Sequence, residues 1–546
     1  MATTTVAAPP ATTRNPLALA HIAVAIAAFG LASAMGVLQA MSVADIAFPK
    51  RSEELYYIAV TAHGVLMALV FTTFFIMGLG YVFAQESLGT IRGRGVAWAA
   101  YWIAVAGSAT TAVTILGGKA TVLYTFYPPL QAHPLFYIGA TLLVVGSWIW
   151  GGVMIATYLG WRRLHPGVPA PLAIHGMLAT IIVWYLATTG LAIEVVGMLI
   201  PWSLGLTEKV DPLVARTFFW WFGHPLVYFW LLPTYIVWYT LLPRAAGGRL
   251  FSDPLARMAF ILFVVLSTPV GFHHQFSDPG ITAGWKLTHT VLTYGVMYPS
   301  FVTAFTVIAS LEIAGRLRGA NGLFNWIGKL PWSEPFFASV ALGMIAFTFG
   351  GFGGAINAAY AMNAMVHNTA WITGHFHVTL GTTVALTFMG ATYWLLPRLL
   401  GRELRFMWLA RVQPYLWFAG MTVFSTSWHL AGLRGLPRRV FSGSLTGDQG
   451  GPWQTLIFVG AHGGMLLFVS ALCFLTVVVA TWTSGRKIAA PALEFAVPLR
   501  PPGLTIWDRY GLWTIVAILL VAAAYAYPLV QLLLHPRFGS PAFKPF

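Results

Sequence analysis

Between Pro16 and Leu534 the chain repeats one pattern, an apolar run of 20 residues or more followed by a short connection rich in Gly, Pro, Arg or Ser. The runs show no strict alternation of apolar and polar positions, which excludes the short strands of a transmembrane barrel. About 20 apolar residues cross a hydrocarbon core of about 30 Å as a helix. There the backbone must satisfy its own hydrogen bonds, which favours helices over loops. Thirteen spans are predicted, over 17–41, 56–84, 97–117, 135–159, 173–200, 216–243, 256–275, 286–315, 336–360, 366–396, 409–433, 454–483 and 510–535. No linker of domain size and no internal repeat interrupts them. The predicted class is all-α, a polytopic transmembrane bundle read as a single membrane domain over 1–546. Residues 1–15 are read as a flexible N-terminal stretch without a cleavable signal.

Composition agrees with this. The 546 residues are 58% hydrophobic and only 8% charged, where a soluble protein carries about 25% charged residues. The net charge of +15 would suggest nucleic acid in a soluble protein, but here the basic residues sit in connections between spans. They fall on alternating connections: Arg92 and Arg94, Arg162 and Arg163, Arg244 and Arg249, Arg316 and Arg318, Arg398 and Arg402, Arg486 and Lys487. The positive-inside rule makes those connections cytoplasmic, with the N-terminus inside and the C-terminus outside. Arg438 and Arg439, after the eleventh span, break the rule and call for a local anionic partner, such as the acidic groups of a cofactor. The single cysteine, Cys473, permits neither an intrachain disulfide nor a cysteine-based metal cluster.

The chemistry is carried by histidines inside apolar runs, where a polar ring is costly and marks a functional site. Gly374-His375-Phe376-His377 lies in the tenth span. At about 100° per residue, positions two apart face opposite sides of a helix, so these rings reach two planar cofactors more easily than one shared ion. His63 lies in the second span beside Gly64, which leaves room for a flat ligand; a hydrogen bond to a neighbouring helix is the alternative. His224 and Tyr228, in Gly223-His224-Pro225-Leu226-Val227-Tyr228, are four apart and share a helix face. His273 and His274 end the seventh span. Three neutral imidazoles suit copper, with a position left open for substrate.

Together with Pro269-Val270-Gly271-Phe272-His273-His274 and Pro437-Arg438-Arg439, these motifs resemble subunit I of the haem–copper oxidases, most nearly the B-type cytochrome c oxidases, from the second span through the thirteenth. The resemblance implies two haems and one copper ion. His63 and His377 would ligate a low-spin haem iron, His375 a high-spin haem iron, and His224, His273 and His274 the copper. Tyr228 would be joined covalently to His224 and supply an electron and a proton to dioxygen. Arg438 and Arg439 would pair with haem propionates, through charge-assisted bonds of defined geometry. His367 would join them there or cap the tenth span, and the acid that the family often carries nearby is replaced by Asn363.

Dioxygen reduction also needs protons. Tyr228, Tyr235 and Tyr239 lie close to one stripe of the sixth span. With Ser252, Ser300 and Thr303 they resemble the single proton path of B-type oxidases. Leu226 and Val227 stand where A-type oxidases carry a glutamate. Glu194 is the clearest carboxylate deep in a span, and no catalytic role is assigned to it. The chain has no Cys-x-x-Cys-His motif and no ligand set for a dinuclear copper centre. The resemblance therefore implies a subunit II bearing that centre, cytochrome c as donor, and a small accessory subunit, in a prokaryotic cell membrane. Quinol is the alternative donor. Nitric oxide reductase is the alternative within the superfamily, and a permease without haem is the alternative outside it.

Overall fold

The computed structural model describes residues 15–46, 52–441, 453–537 and 539–545. Thirteen long helices follow in chain order. They are α1 (Pro16–Val43), α2 (Glu53–Leu88), α3 (Arg94–Leu116), α4 (Pro134–Leu164), α5 (Leu172–Ser203), α6 (Pro212–Ala245), α7 (Asp253–Leu266), α8 (Ala283–Leu317), α9 (Pro335–Ala358), α10 (Ala370–Leu400), α11 (Met407–Leu433), α12 (Gln454–Ser484) and α13 (Tyr510–Leu534). Among the described residues, eleven are long and apolar enough to cross a membrane, and α7 and α11 fall outside that set. The chain is an integral membrane protein. Helix α6 is apolar all round and lies in the middle of the bundle, buried over nearly its whole length.

Two local results differ from the sequence reading. The apolar pattern predicts a seventh helix through residue 275, but α7 ends at Leu266. Pro269 accounts for this, because a residue before proline is pushed out of helical backbone geometry. After the break, Gly271–Gln275 form one tight 3-10 turn, and this turn, not the helix, carries His273 and His274. Asn15, counted in the flexible stretch, is ordered as the cap of α1. Its Oδ1 accepts from the Ala18 N–H at 3.0 Å and its amide donates to the Tyr81 carbonyl at 3.1 Å. Residues 1–14 lie outside the described residues.

Three helices contain a wider π-helical stretch, at Leu66–Phe71, Val195–Leu199 and His377–Val384. Such stretches turn the residues on either side away from their regular helical positions and recur at functional sites. His63 lies just before the first, Glu194 just before the second, and His377 opens the third.

The connection after α11 folds back on the start of α10. The Ala370 N–H donates to the Leu436 carbonyl at 2.8 Å, and the Arg438 N–H to the Asn368 carbonyl at 3.0 Å. Asn368 and Arg439 both adopt positive φ, 58° and 62°, uncommon for residues other than glycine. The two arginines are thereby fixed at the N-terminal end of the helix that carries His375 and His377.

Candidate functional site

One internal cavity of about 560 Å³ is lined by His63, His224, His273, His274, His375 and His377 together with Tyr228, His367, Arg438 and Arg439. Five segments supply those groups: α2, α6, the turn after α7, the approach to α10 with α10 itself, and the connection after α11.

His63 and His377 face each other across the cavity. Their ring planes are 5° apart and their centroids 6.1 Å apart, too far for ring-on-ring contact. A metal–nitrogen bond of about 2.0 Å on each side, plus the distance from nitrogen to ring centre, fills that gap with one ion. The main chain sets both tautomers. His63 Nδ1 donates to the Ala32 carbonyl at 2.9 Å, and His377 Nδ1 to the Thr373 carbonyl at 2.8 Å. A carbonyl only accepts, so each Nδ1 carries the proton and each Nε2 is left as a ligand. Glycine makes this approach possible: a Cβ at Gly36 would come within 2.7 Å of the His63 ring. Gly64 has a second use besides the one its sequence suggests. A Cβ there would lie 2.6 Å from Tyr124, so this glycine, which also lines the cavity, seats Tyr124 as well.

His375 lines the same cavity, with Trp371 alongside at 5.7 Å between centroids. Its Nδ1 is buried without a hydrogen-bond partner among the described residues. The ring lines the cavity, which fits the role of a ligand to a planar group there.

His224, His273 and His274 form the only group of three or more potential ligand residues found among the described residues, with ligand atoms within 4.8 Å of one another. Side chains orient them. Thr293 Oγ1 donates to the His289 carbonyl at 2.5 Å and so accepts from His273 Nδ1 at 2.9 Å, which frees His273 Nε2. Trp220 stacks on His274 at 3.8 Å. His224 Nδ1 points at His274 Nε2, 3.3 Å away, while its Nε2 faces the Tyr228 hydroxyl at 3.2 Å. Three neutral nitrogens with no carboxylate among them suit copper better than a harder ion.

The two arginines meet no carboxylate among the described residues. Arg439 donates to Thr125 Oγ1 at 2.9 Å and to the Tyr124 hydroxyl at 2.8 Å, and its Nε is buried without a partner among the described residues. Arg438 donates to Asn368 Oδ1 at 2.9 Å. Burial, then the charge of Arg439, pushes the Arg438 guanidinium down to about 10. His367 lies beside them, pushed down to about 4 by burial and then by Arg438 and Arg216. Asn363 lines the cavity; its amide donates to the Asn357 and His273 carbonyls at 2.8 and 3.3 Å, and its Oδ1 is buried without a partner among the described residues. Two half-buried cations lining one end of the cavity fit an anionic group, as propionates are.

The hydroxyl residues come together in pairs. Tyr235 meets Ser300 at 3.4 Å, and Tyr239 donates to Thr303 at 2.8 Å. Ser252 is bonded to neither pair: its Oγ caps α7 by accepting from the Leu255 N–H at 3.3 Å. Sequence reading missed Thr306 and Ser310, both fully buried on the same face of α8. The spacing of 300, 303, 306 and 310 is the signal that identifies them. Ser310 Oγ accepts from the Phe251 N–H at 2.9 Å, which brings the stripe next to Ser252. Glu194 is buried, and neither carboxyl oxygen has a partner among the described residues.

Comparison with known proteins agrees with this geometry. Residues 16–466 match the family model described as cytochrome C and quinol oxidase polypeptide I. The chain is 45% identical to cytochrome c oxidase subunit 1 of Thermus thermophilus, over 88% of this chain and 87% of the relative. It is 25% identical to the Cereibacter sphaeroides subunit of the same name, over 83% of each. A chain from a cryo-EM structure of a heme-copper terminal oxidase dimer superposes with a TM-score of 0.93 at 37% identity, covering 98% of this chain and 96% of that one. With the six histidines converging on one cavity, the chain belongs to the cytochrome c and quinol oxidase polypeptide I family, the catalytic subunits of haem–copper terminal oxidases.

Proposed function

We propose that His63 and His377 hold a low-spin haem, His375 a high-spin haem, and His224, His273 and His274 one copper ion, and that the chain reduces dioxygen to water beside Tyr228. The observation that carries this reading is the single cavity lined by all six imidazoles, with the Tyr228 hydroxyl 3.2 Å from His224 Nε2. When bound, the metals supply electrons and a binding place for dioxygen. The chain supplies the rest. Tyr228 donates a proton and an electron to dioxygen, and its approach to His224 supports the two rings acting as one unit. Arg438 and Arg439 hold the propionates, with His367 as a neutral hydrogen-bonding neighbour. Tyr235, Ser300, Tyr239 and Thr303, continued by Thr306 and Ser310 to Ser252, carry protons from the cytoplasmic side toward Tyr228.

Electrons arrive from cytochrome c through a subunit II with a dinuclear copper centre, alongside a small accessory subunit. The assembly sits in a prokaryotic cell membrane with the N-terminus cytoplasmic and the C-terminus periplasmic. Proton translocation accompanies turnover. The test is oxygen uptake by the purified complex with reduced cytochrome c. Four electrons per dioxygen and no released peroxide are expected, and uptake that yields hydrogen peroxide would reject the reading.

A further inference from the structure

The family model ends at residue 466, yet α13, which lies wholly beyond it, reaches the three-histidine site. The Tyr525 hydroxyl, buried in the bundle, accepts from the Gly271 N–H at 2.9 Å, at the first residue of the turn that carries His273 and His274. The next N–H of that turn, on Phe272, donates to His289 Nδ1 at 3.2 Å. A neutral imidazole accepting at Nδ1 carries its proton on Nε2, and His289 Nε2 donates to the Ala524 carbonyl on α13 at 3.2 Å. Two successive N–H groups of the turn thus end on α13, one directly and one through His289. The rings reinforce this: Phe272 stacks on His289 at 4.2 Å and meets Tyr525 edge-on at 5.2 Å. Any Cβ at Gly271 would overlap the Tyr525 hydroxyl and the Trp220 carbonyl, so the fit tolerates no side chain there. A single 3-10 turn has few and poorly aligned internal bonds, and its position depends on what surrounds it.

We propose that α13 positions the metal-ligand turn, with Tyr525 and His289 as positioning residues for the copper site. This rests on reading His224, His273 and His274 as copper ligands. The helix is also fastened at its cytoplasmic end, where Tyr510 meets His175 at 2.7 Å and Asp508 meets the buried Arg257 at 2.9 Å. That end provides the control, because it holds the same helix without touching the turn.

The test uses the whole purified complex. Tyr525→Phe keeps the ring, including its stacking on Trp221 at 5.0 Å, and removes the acceptor for Gly271. Copper is expected to bind about 10-fold more weakly against a competing chelator, as for loss of an outer-sphere ligand support. The infrared stretch of carbon monoxide held on copper should shift, while the low-spin haem band keeps its intensity. His175→Gln is expected to lower thermal stability and leave both copper readouts unchanged. Equal copper readouts in the two variants, changed or unchanged, would overturn the proposal. So would a loss of low-spin haem in step with copper in Tyr525→Phe, since α13 would then be a general brace. An unsubstituted complex without copper would instead reject the reading of the site itself.

Discussion

Two histidine groups share one cavity but are held in different ways. The facing pair, His63 and His377, sits on continuous helices, and each ring is locked by a main-chain carbonyl. The cluster of three hangs partly on a turn after a broken helix, and side chains lock it: Thr293 on His273, Trp220 on His274, Tyr228 beside His224. Main-chain support survives replacement of almost any neighbour. Side-chain support does not. The pair is therefore the robust half of the site, and the cluster is the half that outer residues can tune.

Removing a ligand from the pair should have the largest and most local effect. His63→Ala is expected to abolish the low-spin haem band while copper content stays at one per chain, read by absorption and metal analysis. A retained low-spin band would remove His63 from the ligand set. On the cluster side, Tyr228→Phe should keep both haems and lower oxygen turnover by about 10²–10⁴-fold, the usual contribution of a positioned proton donor. Near-normal turnover would leave Tyr228 as packing. Thr293→Val tests the side-chain support itself. Copper affinity should fall about 10–100-fold with the low-spin band unchanged, and equal damage to both halves would erase the contrast between them. The smallest effect is expected at the far end of the hydroxyl stripe. Ser252→Ala should cost about 1 kcal/mol of stability through lost capping, and lower turnover less than Thr303→Ala does. A larger drop than for Thr303→Ala would make Ser252 the narrowest point of the path.

Much of the helical architecture was legible, because an apolar run of span length has few other ways to satisfy its backbone. The histidines were legible for the same reason, as polar rings in hydrocarbon. His224 and Tyr228 declared their shared face through their spacing of four. What could not be read involved the main chain. Nothing in α1 marks Ala32 as the residue whose carbonyl sets the His63 tautomer, and nothing marks Asn368 and Arg439 as left-handed. Other misses had a signal that was passed over. Pro269 announced the end of α7 inside a run that stays apolar. The spacing after Thr303 continued to Thr306 and Ser310. Gly64 suggested space and does line the cavity, but nothing in the sequence marked Tyr124 as the side chain that packs on it.

The most direct measurement is haem and metal content together with the spectrum of the dithionite-reduced, purified complex, corrected for copper carried by other subunits. The expected result is two haems and one copper per chain, one haem six-coordinate and low-spin, the other high-spin and able to bind carbon monoxide. A single haem, two low-spin haems, or non-haem iron in place of copper would contradict the convergence of six imidazoles on two irons and one copper.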